Sequence, residues 1–281
     1  MRLNQLLKGA GYSTAGLKDA EVTLVTEDSR KVCNGSVFVC IKGAHFDGHD
    51  KAAEACEKGA VLVVAESDTG VKNQLIVNDS REAFSLLSAS FFGNPAKKLR
   101  LVGVTGTNGK TTTCFLLKGI FESLGHKTGL IGTVKNMVGE KEYPANFTTP
   151  DPFELNGLFA EMVEAGCEFC VMEVSSQALA QQRVAGLHYE TAIFTNLTQD
   201  HLDYHGNFEN YIAAKHKLFE NCSTAIVNSD DEAYTAMLEG CSCRCITFSA
   251  MSDSADFSAK NIEYKPDGVA YILVGIGKIE R

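Results

Sequence analysis

The stretch 103–113, Gly-Val-Thr-Gly-Thr-Asn-Gly-Lys-Thr-Thr-Thr, constrains this chain more than any other. Before it, Leu-Arg-Leu-Val-Gly-Val at 99–104 is short, apolar and β-branched, the pattern of a buried strand. After it, apolar residues fall at Phe115, Leu116, Ile120, Phe121 and Leu124, and Gly125 supplies a helix stop. Strand, glycine loop, Lys-Thr and helix in that order make a phosphate-binding loop. Glycines let backbone N–H groups approach phosphate oxygens, and the helix N-terminus adds partial positive charge. The reading assigns Gly106, Thr107, Asn108, Gly109, Lys110, Thr111 and Thr112 to a nucleotide, with Lys110 on the outer phosphates and the Thr111 hydroxyl on Mg²⁺. One departure is visible: the usual pattern has four residues between its glycines, but position 104 is valine and Gly106 stands close before Gly109. An ordinary strand-to-helix turn also uses Gly and Asn, but it does not need the Gly-Lys-Thr ending.

A length of 281 residues predicts two domains, with 44% hydrophobic residues to fill their cores. The net charge of −9 argues against a general nucleic-acid binder but not against a local nucleotide site. No apolar run reaches membrane-spanning length, and the N-terminus lacks the apolar core of a signal peptide. The ten cysteines show no paired metal spacing and suit a reducing cytosol. Cys33, Cys40, Cys56, Cys114, Cys167 and Cys170 read as small core residues, and Cys241, Cys243 and Cys245 alternate as one face of a strand would.

Residues 1–92 alternate short strands (22–25, 37–41, 60–65, 75–77) with helices (51–58, 81–92), and 93–98 reads as a linker. The polar loops at 26–31 and 42–49 follow strands, where α/β folds place ligands; solvated turns read equally well there. From 99 onward the alternation continues: strands at 129–134, 169–174, 191–197 and 224–228, a helix from Pro152 to Glu164, another over 211–219, and a hairpin around Pro266-Asp-Gly. The class is α/β: a small N-terminal α/β domain, then a P-loop α/β domain with a mostly parallel sheet.

Glu173 ends a strand after the phosphate loop, where a Mg²⁺-binding or water-positioning carboxylate belongs; helix capping is the alternative. Asp200, His201, Asp203 and His205 crowd four potential ligands together at another strand end, as a metal-dependent hydrolase or a polar turn would. Lys215, on the helix that follows, reads by itself as a surface lysine, and an ammonium offers only donors and no metal ligand.

GTNGKTTT, FTTPDP, MEVSSQALAQQRV, FTNLTQDHLDYHG and YIAAKHKLF, in that order, resemble the Mur ligases, as do EDSR and IKGAHFDGH near the N-terminus. The nearest likeness is to the type that adds the third residue of the peptidoglycan stem peptide. The resemblance spans essentially the whole chain, and the family's GTxGKT loop accounts for Val104.

It implies a cytoplasmic, ATP- and Mg²⁺-dependent amide ligase, monomeric, without nucleic-acid or membrane partners. Its substrates would be UDP-N-acetylmuramoyl-L-alanyl-D-glutamate and a diamino acid, lysine or meso-diaminopimelate, joined through an acyl phosphate. Residues 1–98 would bind the UDP substrate and 99–281 would form an incomplete central ATP-binding domain. By similarity, Glu27, Ser29, Ala44, His45 and Phe46 contact the UDP part, and Thr148, Thr149, Ser175, Gln181 and Arg183 the muramoyl-dipeptide. Thr111, Glu173 and His201 serve Mg²⁺, with Lys110 and Lys215 also catalytic and Lys215 carbamylated, which turns a cation into an oxygen-bearing anion. Family members carry a third, C-terminal domain, and this chain ends at Arg281. The expectation is therefore a chain inactive alone, with a binding fragment, a plain P-loop NTPase, or another Mur or folylpolyglutamate-type ligase as alternatives.

Overall fold

The structure is a computed structural model and describes residues 1–43, 46–198, 202–275 and 278–280. In chain order its elements are α1 (Leu3–Gly9), β1 (Leu24–Thr26), β2 (Ser36–Val39), α2 (Ala52–Glu57), β3 (Leu62–Ala65), β4 (Gln74–Ile76) and α3 (Ser80–Phe91). There follow β5 (Arg100–Thr105), α4 (Lys110–Ser123), β6 (Thr128–Ile131), β7 (Lys135–Val138), β8 (Lys141–Pro144), α5 (Pro152–Glu164), β9 (Phe169–Glu173), α6 (Ser176–Ala180) and β10 (Tyr189–Phe194). The last are α7 (Leu202–His205), α8 (Phe208–Glu220), β11 (Cys222–Asn228), α9 (Tyr234–Met237), β12 (Arg244–Ser249), β13 (Phe257–Lys265), β14 (Gly268–Gly275) and β15 (Lys278–Glu280).

The chain divides into two compact units. The first comprises Met1–Leu99 with Thr149–Glu168 and Ala180–Leu187, so α5 packs with the N-terminal residues. Its sheet runs β1-β2-β3-β4, all parallel. Successive side chains of a strand point to opposite faces. Val37 and Val39 accordingly join Leu3, Leu7, Phe84 and Leu87 on one side, while Phe38 and Cys40 join Ala52, Ala55 and Val63 on the other. Covering both faces explains why these strands are apolar throughout rather than alternating. Asp79 starts α3 by accepting from the N–H groups of Arg81 and Glu82, as Asp151 starts α5 from those of Phe153 and Glu154.

The second unit comprises Arg100–Thr148, Phe169–Leu179 and His188–Arg281. Its described strands run β15-β14-β13-β12-β11-β10-β5-β9-β6-β7-β8, parallel from β13 to β6 and antiparallel towards both edges. The β5 strand lies between β9 and β10, so connections leave it to either side and open a crevice beyond its carboxyl end.

Three local expectations change. Leu116, Ile120 and Leu124 are exposed, whereas Cys114 and the stem of Lys118 are buried and Phe115, Leu117 and Phe121 lie over Val102, Val104 and Val171. The apolar spacing of α4 thus mixed two faces. Cys33 and Cys56 are exposed, not core. Cys241 and Cys243 precede β12, which begins at Arg244, and are not on its face. Among the described residues, no helix is long and apolar enough to cross a membrane.

Candidate functional site

The loop 106–109 leaves β5 with Gly106 at φ 145° and Gly109 at φ 86°, backbone that side chains resist. Space at Gly106 forbids a side chain as well, since a Cβ there would lie 2.0 Å from Thr195 Oγ1. The segment after β10 holds this loop closely. Thr107 N–H donates to the Asn196 carbonyl at 2.8 Å, Asn108 N–H to Asn196 Oδ1 at 3.0 Å, and Asn196 Nδ2 returns a bond to the Asn108 carbonyl at 3.1 Å. Thr195 Oγ1 adds a bond to the same carbonyl at 2.7 Å. Behind the clamp, Asn228 Nδ2 donates to the Thr195 carbonyl at 2.9 Å and Asp231 Oδ2 accepts from Leu197 N–H at 2.6 Å.

Lys110 opens α4, and its ammonium donates to the carbonyls of Gly106 and Thr107, both at 2.9 Å. Thr111 Oγ1 faces both carboxylate oxygens of Glu173, at 3.0 and 2.9 Å. Glu173 is 1% exposed at the carboxyl end of β9, and it also accepts from Thr133 N–H at 2.9 Å and Thr133 Oγ1 at 3.2 Å. Carboxylate and hydroxyl oxygens are the hard donors that Mg²⁺ prefers, so Thr111 and Glu173 fit that ion. Thr148 Oγ1 lies 3.0 Å from Thr133 Oγ1.

Lys215 is 1% exposed on α8, which corrects the surface-lysine expectation. Its Nζ donates to the Gly106 carbonyl at 3.0 Å and lies 4.6 Å from the centre of the Tyr211 ring. The apolar face of α8 turns Tyr211, Ala214, Lys215 and Leu218 inward together, and Tyr211 Oη reaches Thr107 Oγ1 at 3.2 Å. Ser175 accepts from Ala178 N–H at 3.2 Å at the start of α6, and His205 Nε2 lies 2.9 Å from Ser176 Oγ. Asp200 and His201 lie outside the described residues, as does the side chain of Asp203.

The first unit carries a second candidate region, a cavity of about 570 Å³ lined by Glu27, Asp28, Ser29, Arg30, Ile41, Gly43, Phe46 and Arg81. Lys58 Nζ pins its rim by donating to the Ser29 carbonyl at 2.9 Å. Arg30 grips the Asp28 carboxylate through two nitrogens at 2.9 and 2.8 Å and holds its pKa down at about 2. Glu27 keeps an exposed flank, yet its carboxyl loses enough water to push its pKa up; Asp151 adds to this while Arg81 and Arg183 oppose it. Ala44 and His45 lie outside the described residues. Elsewhere in this unit, Arg183 donates to the Thr149 carbonyl at 3.0 Å and forks onto Gln181 Oε1 at 3.0 and 2.7 Å.

Several residues escaped the sequence reading. Thr133 and Asn196 stand just beyond strand ends, the one signal that marked them, and Tyr211 was masked as an ordinary helix residue. His49 holds the loop bearing Phe46: its Nε2 accepts from Glu66 N–H at 3.0 Å, so its Nδ1 carries the proton facing Asp47 Oδ1 at 2.6 Å.

A model of the Mur ligase middle domain matches residues 104–280, and one of the Mur ligase family catalytic domain matches residues 21–90. The UDP-N-acetylmuramoyl-L-alanyl-D-glutamate–2,6-diaminopimelate ligase of Clostridium perfringens is 44% identical over 277 residues, covering 95% of this chain and 57% of its own. That of Cytophaga hutchinsonii is 43% identical over 285 residues, 98% of this chain and 58% of its own. The chain thus spans a little over half the length of the curated relatives it matches. A solved structure of a ligase of the same name superposes with a TM-score of 0.82 at 28% identity, covering 92% of this chain and 55% of that one. A Thermotoga maritima MurF ligase solved in complex with ADP shares the fold at a TM-score of 0.59 and 22% identity, over 92% of this chain and 57% of that one.

Proposed function

The chain belongs to the Mur ligase family, and from that premise we propose that it serves ATP-dependent addition of a diamino acid to UDP-N-acetylmuramoyl-L-alanyl-D-glutamate. The relatives' names favour 2,6-diaminopimelate over lysine as the incoming amine. The observation that carries the reading is the clamped loop 106–109 with Thr111 set against buried Glu173 at the carboxyl end of the central strand.

On this reading residues 1–98 bind the UDP-linked substrate, through Glu27, Ser29 and Phe46 together with Ala44 and His45. Residues 99–281 bind ATP through Gly106 to Thr112. Thr148, Thr149, Ser175, Gln181 and Arg183 contact the muramoyl-dipeptide. Loop N–H groups and the Lys110 ammonium orient the triphosphate so that its terminal phosphoryl group meets the D-glutamate carboxylate. A carboxylate is a poor acyl donor; its phosphoric anhydride is a good one. Attack by the amine then forms the amide and expels phosphate. Thr111, Glu173 and His201, with Lys215 as a carbamate, would hold Mg²⁺, which supplies charge neutralisation for the phosphoryl oxygens. Such a reaction belongs in the cytoplasm, where ATP is available.

Titration calorimetry with Mg-ATP and with UDP-N-acetylmuramoyl-L-alanyl-D-glutamate, and mass spectrometry of products with diaminopimelate or lysine, test the reading. Binding of both ligands supports it, with tripeptide formation deciding between a ligase and a binding fragment. Failure of either ligand to bind rejects it.

A further inference from the structure

We propose that Thr133 is a positioning residue for substrate selection: it takes up the Thr148 hydroxyl proton, so that Thr148 acts as an acceptor only and selects an amide N–H of the peptide substrate. The proposal rests on the reading of Thr148 as a substrate contact.

Thr133 lies in the connection between β6 and β7. That connection is braced from β7, where fully buried Asn136 accepts from Gly132 N–H through Oδ1 at 3.2 Å. It runs close to Glu173, since a Cβ on Gly132 would lie 2.5 Å from Oε1. Thr133 accordingly spans the carboxylate, its N–H donating to Oε1 at 2.9 Å and its hydroxyl to Oε2 at 3.2 Å. A β-branched side chain has few χ1 choices, so the hydroxyl stays where the backbone puts it.

A hydroxyl carries one proton and two lone pairs, and a carboxylate only accepts. If the Thr133 proton turned to Thr148, bare lone pairs would face Glu173 Oε2 across 3.2 Å. The proton therefore goes to Glu173, and Thr133 offers lone pairs to Thr148 Oγ1, 3.0 Å away. Thr148 donates into them and keeps no proton for a ligand. The same count holds at Thr111, whose proton goes to Glu173 at 3.0 and 2.9 Å and whose lone pairs remain for a cation. One carboxylate thus sets the polarity of two hydroxyls, Thr111 directly and Thr148 through Thr133.

A substrate amide N–H meets an acceptor at Thr148. A substrate oxygen in the same place meets only lone pairs. To bind it, Thr148 must withdraw its proton from Thr133, which leaves two hydroxyl oxygens facing each other with no proton between them. UDP-N-acetylmuramoyl-L-alanyl-D-glutamate carries an amide N–H on each of its two amino acids, so the donor is available.

The test titrates the whole chain calorimetrically with this substrate and with two analogues, each having one of those N–H groups replaced by an ester oxygen. One ester should bind about tenfold more weakly than the amide, the scale of a lost hydrogen bond whose acceptor then faces another acceptor. Thr133→Val is isosteric and keeps the N–H that holds Glu173. In it Thr148 is free to donate to the ester, so the amide-to-ester ratio should fall to the value found in Thr148→Val. Thr133→Ser should restore the ratio. A role confined to holding the fold would weaken amide and ester alike and leave their ratio unchanged. An equal ratio in the unsubstituted chain and in Thr133→Val, or two esters that bind as tightly as the amide, overturns the proposal and leaves the functional reading standing. Failure of the amide substrate itself to bind rejects that reading and the proposal together.

Discussion

The ammonium groups of Lys110 and Lys215 converge on one acceptor, the carbonyl oxygen of Gly106, at 2.9 and 3.0 Å. Two like charges are thus gathered at the mouth of a loop whose N–H groups suit anions. A nucleotide's phosphates would draw Lys110 outward, while the carbonyl of Gly106 would keep Lys215 as a donor. Lys110→Ala should weaken Mg-ATP binding at least tenfold by calorimetry, the scale of a lost charge-assisted hydrogen bond of about 1.5–3 kcal/mol. The thermal midpoint should hardly move. Equal affinities would remove the phosphate-loop assignment.

Lys215 faces the other half of that relationship. If it carries a carbamate, ¹³C-bicarbonate should give a carbamate resonance in the intact chain that is absent from Lys215→Arg. Carbon dioxide reacts with the neutral amine, so the signal should grow as pH rises towards the lysine range. A silent spectrum at alkaline pH in saturating bicarbonate would discard the modification.

Gly132 is tested by its neighbour. A Cβ there would lie 2.5 Å from Glu173 Oε1, so Gly132→Ala must displace the carboxylate that Thr111 and Thr133 hold. Overpacking of this kind costs about 1–3 kcal/mol. Mg²⁺ should then lose most of its enhancement of nucleotide binding, as it should in Glu173→Gln, which leaves the space unchanged. Intact Mg²⁺ enhancement in both variants would disconnect Glu173 from the ion.

Acid should expose the role of Asp28. Its pKa falls from 3.8 to about 2 on pairing with Arg30, so the folded chain binds fewer protons than the unfolded one between those values. The contribution is complete above the unfolded pKa and is lost as pH falls through about 2. Because Arg30 is exposed, Asp28→Asn should cost less than about 1 kcal/mol near neutrality. Denaturant titrations from pH 5 to about 2 should show a shallower acid loss in the variant; identical slopes would mean the pair contributes nothing.

The strand, glycine loop and helix around Lys110 were legible because their determinants are local: β-branched run, Gly-Thr-Asn-Gly and Lys-Thr stand within one stretch of sequence. Lys215 was not, because its burial is decided by where α8 lands beneath the Gly106 carbonyl. Thr133 escaped for the same reason: β6 and β9 pair in parallel, and only that pairing brings it to Glu173. The β7–β8 hairpin turns at 139–140, where Gly139 takes φ 58°, without the Asn-Gly or Asp-Gly signal that marked the later one. In α4, periodicity found the helix but not its buried side, since the exposed Leu116, Ile120 and Leu124 carry the same hydrophobic signal as buried residues.

The placing of β5 also sets a schedule for synthesis. Its partners in the sheet are β9 and β10, and the latter ends only at Phe194. At about 5–20 residues per second, a ribosome takes on the order of 5–20 s to supply them after β5 is made. Until β9 follows, the nascent chain displays an apolar strand with two open edges, and until β10 and the segment after it follow, one edge stays open and the glycine loop lacks its clamp. Chaperone capture and premature aggregation would both act within this window.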